Sequence, residues 1–200
     1  NVFSFSRSST GTDIADREAV RAALAAVHQE TGRIDYVVNW AAILVRKPLD
    51  TMSAEEIDNI LDVNLKGSIN VALESHKYLK ESRGSLLFFT SSSYTRGRAF
   101  YSLYSATKSG VVNFMQALAE EWLEEGIRVN CVNPERTKTP MRVRNFGAEP
   151  ENTLLSAEAV ADVSIHVLAS NATGHVFDVR RTDMVTAIAA ARGEAGTSSS

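Results

Sequence analysis

Tyr104 and Lys108 stand four residues apart in a stretch that reads as helix, so their side chains share one face. A phenol with a reference pKa near ~10 is a poor base at neutral pH, and a cation beside it favours the phenolate. Such a pair can move a proton to or from an oxygen atom, which is general acid–base chemistry. Thirteen residues before Tyr104 comes Ser91, within the run Thr90-Ser91-Ser92-Ser93. Singly these signals are ordinary: a Tyr and a Lys at helical spacing are common on surfaces, and serines after a strand often cap turns. Their weight depends on the elements that carry them.

Val2–Ser6 alternates apolar and polar residues and leads into the polar run Arg7–Thr12, which reads as a strand and then a loop. From Asp16 to Gln29, Val20, Ala23, Leu24 and Val27 recur at helical spacing, and Gly32 stands where a C-terminal stop belongs. Ile34–Asn39 is a second strand. Ser53 and Glu56 match a capping box and open a helical region reaching to about Lys80. Ser85–Thr90 reads as the third strand, Ser102–Glu125 as the longest helix with Gly126 ending it, and Ile127–Val132 as the fourth strand. Thr137–Thr153 has loop composition, Ser156–Ala169 starts on a helix signal, and His175–Val179 is the last strand.

Strands alternating with helices predict an α/β fold: a Rossmann-like, doubly wound parallel sheet covered on both faces. Residues 1–190 read as one domain and 191–200 as a disordered tail, small and polar in composition. In such sheets ligands sit beyond the carboxyl ends of the strands. The segments after Ser6, Asn39, Thr90 and Val132 are therefore expected to line one crevice.

The chain has 200 residues, 44% apolar and 22% charged, with a formal charge of −3. This fits one globular domain and gives no basic excess for a nucleic-acid or membrane-surface partner. No stretch approaches the ~20 apolar residues of a membrane-spanning helix, and no signal peptide opens the chain. The single cysteine, Cys131, lies in an apolar run and reads as a buried strand thiol. A reducing cytoplasm is the expected compartment. His28, His76, His166 and His175 show no ligand spacing, so no metal site is expected.

Tyr104-Ser-Ala-Thr-Lys108, with Ser91 thirteen residues upstream, resembles the catalytic pattern of the short-chain dehydrogenase/reductase family. Asn39-Trp-Ala-Ala42 is similar to the family's Asn-Asn-Ala-Gly motif, Val63-Asn64 to its helical Asn, and Asn133-Pro134 with Thr139 to its Pro-Gly segment and following Thr. The resemblance implies a nicotinamide-dependent oxidoreductase in which Tyr104 gives a proton to a carbonyl oxygen or takes one from an alcohol. Lys108 would lower the pKa of Tyr104 and hold the nicotinamide ribose, Ser91 would hydrogen-bond the reacting oxygen, and Asn64 would anchor a water chain to Lys108.

The same resemblance assigns cofactor contacts to Arg7, Asp13, Ile14, Asn39, Ala41, Tyr104, Lys108, Pro134, Thr137 and Thr139. The family begins with a strand and a Gly-rich turn that meets the pyrophosphate, and that βα unit is missing before Asn1, so the domain reads as N-terminally incomplete. With Arg7 and no adjacent acid where the adenosine ribose is read, NADP is the expected cofactor, with NAD as the alternative. Arg46, Lys47, Arg96, Arg98, Arg136, Lys138, Arg142 and Arg144 border the expected crevice, opposed locally only by Asp50 and Glu135. They suggest an anionic substrate, with Arg96, Arg98, Arg142 and Arg144 as its candidate contacts.

Segments 91–101 and 133–142, in which Glu135 replaces the family's Gly, resemble the reductase part of bifunctional enzymes joining a sugar nucleotidylyltransferase to a short-chain reductase. That resemblance implies reduction of ribulose 5-phosphate. A reductase of another carbonyl, such as an acyl carrier thioester or a steroid, and a non-catalytic dinucleotide sensor or scaffold are the competing readings. Assembly as a homodimer or homotetramer through the long helices is expected from the family.

Overall fold

A computed structural model describes residues 1–182; the end of the expected domain and the 191–200 tail lie outside the described residues. Four parallel strands form the sheet in the order β1 (Tyr36–Asn39), β2 (Ser85–Phe89), β3 (Arg128–Pro134), β4 (Val176–Val179). Among the described residues six α-helices accompany them: α1 (Arg17–Thr31), α2 (Ala54–Leu61), α3 (Gly67–Ser82), α4 (Ser102–Glu121), α5 (Pro140–Phe146) and α6 (Ala157–Ala169).

Alternation along β2 shows why the sheet is buried on both faces. Leu86 and Phe88 point into a core shared with Val71 and Leu79 of α3 and Val111, Met115 and Leu118 of α4. Leu87 points the other way, into a second core with Val132, Val160, Val167 and Leu168. The helices start and stop where side chains satisfy their free backbone groups. Asp16 caps α1 by accepting the Glu18 and Ala19 N–H groups, Ser53 and Glu56 form the full capping box on α2, and Ser156 caps α6. Gly32 ends α1 with φ 72°, a conformation that costs a residue with Cβ.

Three expectations are corrected. Val2–Ser6 is not a strand: among the described residues no strand lies beside it, and Val2 is 96% exposed. Alternation alone makes no strand without a ladder partner to take its backbone hydrogen bonds. Within the segment 137–153 the chain forms α5, because Thr139 accepts the Arg142 N–H and Pro140 occupies the first turn, where its missing N–H costs nothing. The helical region from Ser53 is not one regular helix; a π-turn at Asp62–Lys66 separates α2 from α3.

Helix α1 is fastened to α3 by a buried acid. Glu74 accepts from Arg17 Nε at 2.5 Å, from Arg21 Nε at 2.9 Å and from Arg21 again at 3.1 Å. The hydrogen bond from Arg21 is the largest influence holding this carboxyl down at about 2, from an ordinary 4.5, against the opposing effect of burial. Its contribution to stability is complete above the ordinary carboxylate range and is lost as pH falls from about 4.5 toward 2. Glu74→Gln should lower Tm at pH 7 by a few degrees, because Arg17 loses its carboxylate and Arg21 keeps only the exposed Glu18. In thermal melts the gap to the parent should close as pH approaches 2.

Candidate functional site

The carboxyl ends of β1, β2 and β3 converge on the first turns of α4. Lys108, 4% exposed, reaches from α4 to the end of β2 and donates to the Phe89 carbonyl at 2.8 Å. Thr90, the next residue, donates its hydroxyl to the Lys108 carbonyl at 3.1 Å. Tyr104 lies on the same face, with the Lys108 Nζ 5.7 Å from its ring centre. The Ser91 hydroxyl lies within reach of the Tyr104 phenol and favours its ionised form. It also accepts from Ser93, whose backbone N–H is 3.4 Å away and whose hydroxyl is 3.2 Å away, so Ser91 holds the following turn as well.

Asn64 reaches this cluster because of the π-turn. Its amide oxygen accepts the Ile43 N–H at 2.8 Å, while its amide nitrogen donates to the Ile43 carbonyl at 2.9 Å and to the Thr107 hydroxyl at 3.2 Å. One buried amide therefore holds the loop after β1 against the helix turn that carries Tyr104 and Lys108. All four expected catalytic residues thus fall in one neighbourhood, at the end of β2 and the first turns of α4.

The electrostatics differ from expectation in one respect. Burial, the largest cause, raises the Tyr104 phenol to about 12, and the Ser91 hydroxyl opposes it only in part. Burial lowers Lys108 to about 8. The ammonium is aimed at the Phe89 carbonyl rather than at the phenol oxygen, so it does not lower Tyr104 as anticipated. Cys131 is the buried free thiol expected from the sequence, and burial lifts it to about 12, so it brings no charge to the site.

Expected cofactor residues lie along the same edge. Asn39 donates to Ser68 at 3.1 Å and accepts the Ala41 N–H at 3.2 Å, fixing the turn after β1. Trp40, which could have been core, is 59% exposed. Arg7, Asp13 and Ile14 are brought together: Arg7 pairs with Asp13 at 2.7 Å, and Asn70 donates to the Ile14 carbonyl at 2.9 Å. Ile14 packs so closely on α3 that a Cβ at Gly67 would meet its side chain at 2.6 Å. Nothing in the sequence pattern marked Gly67 or Asn70 for this work. Pro134 closes β3, Thr137 bridges to Leu155 and donates to the Glu135 carbonyl, and Thr139 caps α5. Glu135 stands without strain where the family has Gly, since its φ is not positive.

The basic mouth is more neutralised than the sequence suggested. Asp50 and Glu135 are not the only local acids: Glu149 takes Arg142 through two hydrogen bonds at 2.6 and 2.9 Å, Glu151 takes Lys138, and Glu56 takes Lys47. These acids lie outside helical spacing from their cations and meet them only when the intervening loops and α5 fold. Arg98 borders a cleft of about 290 Å³ with Ser93, Ser102 and Ser109, on a face of α4 turned away from Tyr104. Arg96 and Arg144 are exposed and have no carboxylate partner among the described residues. The histidines serve packing and hydrogen bonds, as where His76 is hydrogen-bonded to Glu125 at 2.6 Å and lies tilted against Trp122, and no three metal-ligating side chains cluster among the described residues.

The family model for short chain dehydrogenase matches residues 4–150. The chain belongs to this family. It is 52% identical over 177 residues, 88% of the chain, to the bifunctional ribulose 5-phosphate reductase/CDP-ribitol pyrophosphorylase Bcs1 of Haemophilus influenzae, and covers 37% of that protein. It is 34% identical over 74% of its length to an acetoacetyl-CoA reductase of Acinetobacter sp., covering 58% of it. The chain thus spans between about a third and three fifths of these curated relatives. Among solved structures it superposes on a 3-ketoacyl-(acyl-carrier-protein) reductase from Brucella melitensis complexed with NADH. The TM-score is 0.78 and the identity 27%, over 84% of this chain and 75% of the other. The short-chain dehydrogenase signature is legible in the sequence itself, and the Rossmann-like parallel sheet agrees with it.

Proposed function

We propose that these residues are the catalytic half of an NADPH-dependent reductase that turns a carbonyl into an alcohol, acting on a phosphorylated sugar such as ribulose 5-phosphate. The observation that carries the proposal is Lys108: a buried ammonium with three donors and one protein acceptor, the Phe89 carbonyl, beside a phenol and a serine hydroxyl. Buried donors without acceptors are costly, and a ribose diol supplies what is missing. That donor set fits a nicotinamide ribose.

Bound NADPH would supply the hydride. Tyr104 and Lys108 would hold the ribose beside it, Asn39 and Ala41 would border the adenosine side, and Pro134, Thr137 and Thr139 would border the nicotinamide. Asp13 and Ile14 would lie near the adenine, with Arg7 exchanging its exposed partner Asp13 for the 2′-phosphate. Exposed ion pairs are worth little, about 0–1 kcal/mol, so this exchange is cheap. Tyr104 stays protonated through the physiological range, which suits it to donate a proton to a carbonyl oxygen that Ser91 also binds. Asn64 keeps the helix turn and the β1 loop in register around them.

The sugar phosphate reading is supported by the identity shared with the Haemophilus influenzae enzyme. Assembly as a dimer or tetramer and a cytoplasmic location belong to the same reading; no helix of the described residues is long and apolar enough to cross a membrane. The full-length protein should oxidise NADPH in the presence of ribulose 5-phosphate, followed at 340 nm, with NADH at least tenfold less efficient. Turnover of other carbonyls but not of sugar phosphates would overturn the substrate. Dinucleotide binding without any turnover would overturn the enzyme reading.

A further inference from the structure

Among the cations at the crevice mouth, Arg46 is held unlike the others. Its guanidinium carbon lies 5.8 Å from the ring centre of Phe100 and 5.5 Å from that of Phe146, and no carboxylate pairs with it among the described residues. Arg142 lies over the same Phe146 ring at 4.6 Å but is committed to Glu149. A ring face attracts a guanidinium without consuming its N–H groups, whereas a carboxylate consumes them. Arg46 is therefore both positioned and unspent.

The cradle around it is built at a cost. Phe100 has φ 69°, in the left-handed region that a side-chain-bearing residue occupies only where its surroundings over-determine it. Two contacts do so. Its carbonyl accepts the Lys47 N–H at 2.7 Å, which clamps the residue next to Arg46, and the following Tyr101 begins α4 with its carbonyl bound to the Ser105 N–H and hydroxyl. The opposite wall, Phe146 of α5, meets Tyr101 edge-on with ring centres 5.9 Å apart, and Tyr101 lies 6.3 Å from Tyr104. Tyr104, Tyr101, Phe146 and Arg46 thus form one unbroken wall from the phenol outward.

We propose that Arg46 binds the phosphate monoester of the substrate at the crevice mouth while the carbonyl lies at Tyr104. This rests on the sugar phosphate reading above. The planar guanidinium suits two-point binding of phosphate, and the two rings hold its plane at the mouth while its N–H groups stay open to a ligand. Phe100 and Phe146 position the guanidinium, and the strained backbone at Phe100 brings one ring and the Arg46–Lys47 loop to the same place.

The test compares ribulose 5-phosphate with ribulose in the full-length protein. Arg46→Gln should lower the ratio of kcat/KM for the phosphorylated over the free sugar about 10- to 100-fold, chiefly through KM. Arg46→Lys should recover only part of the ratio, because a point charge lacks the fork. Phe100→Ala should lower the ratio severalfold while leaving the guanidinium in the sequence. Inorganic phosphate, as a competitive inhibitor, should weaken in Arg46→Gln by a similar factor. An equal loss on both sugars, or unchanged inhibition by inorganic phosphate, would overturn the assignment of Arg46. A parent enzyme indifferent to the phosphate group would instead overturn the substrate reading itself, and with it this one.

Discussion

Lys108→Met is expected to give a protein that is more stable than its parent at pH 7 and inactive. The Lys108 side chain is fully buried, and burial lowers its pKa from 10.5 to about 8, so the fold carries a desolvated ammonium at neutral pH. A lowered lysine pKa means that the folded state disfavours the charged form. The penalty is therefore full below about pH 8 and fades as pH rises from there toward 10.5. Methionine fills the space with an apolar chain, leaves the Phe89 carbonyl without its donor, and should net about 1–2 kcal/mol of stability. The parent should approach the variant in thermal melts above about pH 10. Activity should fall by about 10³-fold or more, since the proposed ribose contact and the charge beside Tyr104 go together. A variant less stable than its parent at pH 7 would show that the ammonium is better satisfied than its single protein acceptor suggests.

Tyr104→Phe should keep the fold and lose roughly 10³-fold in kcat for carbonyl reduction, within the range for removing a positioned general acid. The pH profile of the parent gives a sharper result. With Tyr104 raised to about 12, the phenol holds its proton throughout the working range, so it should set no inflection near neutrality. Lys108, at about 8, loses its charge first. Reduction should thus be flat below neutrality and decline with an apparent pKa near 8 as the ammonium is neutralised. A decline confined to much higher pH would place the controlling proton on Tyr104 instead.

Much of the site could be read from residue order because each signal falls at a strand end or on one helix face, and such places are fixed by local patterning. Asn64, Ser91, Tyr104 and Lys108 needed only the correct alternation of strands and helices to converge. Local capping chemistry likewise marked Ser53 and Ser156. What escaped was set by contacts that no helical or strand spacing announces. Glu149 and Glu151 neutralise Arg142 and Lys138 only after α5 forms, and α5 itself was hidden because Thr139-Pro140 is short and sits in a polar stretch. Val2–Ser6 had the right pattern but, among the described residues, no neighbour to pair with. The aromatic cradle of Arg46 joins three separate loops and helices, so no spacing rule could announce it.

The π-turn at Asp62–Lys66 is also a matter of phase. An α-helix turns about 100° per residue, so one surplus residue rotates everything after it by that angle relative to everything before. Without the slip, a single straight helix would have to present one continuous stripe to two different neighbours. With it, α2 keeps its own angular setting beside α4, while α3 takes another that delivers Ser68 to Asn39, Asn70 to Ile14 and Glu74 to Arg17 and Arg21. Asn64 sits at the slip itself, so the reacting end of the molecule and the α1 flank are two dials on one shaft, offset by one residue.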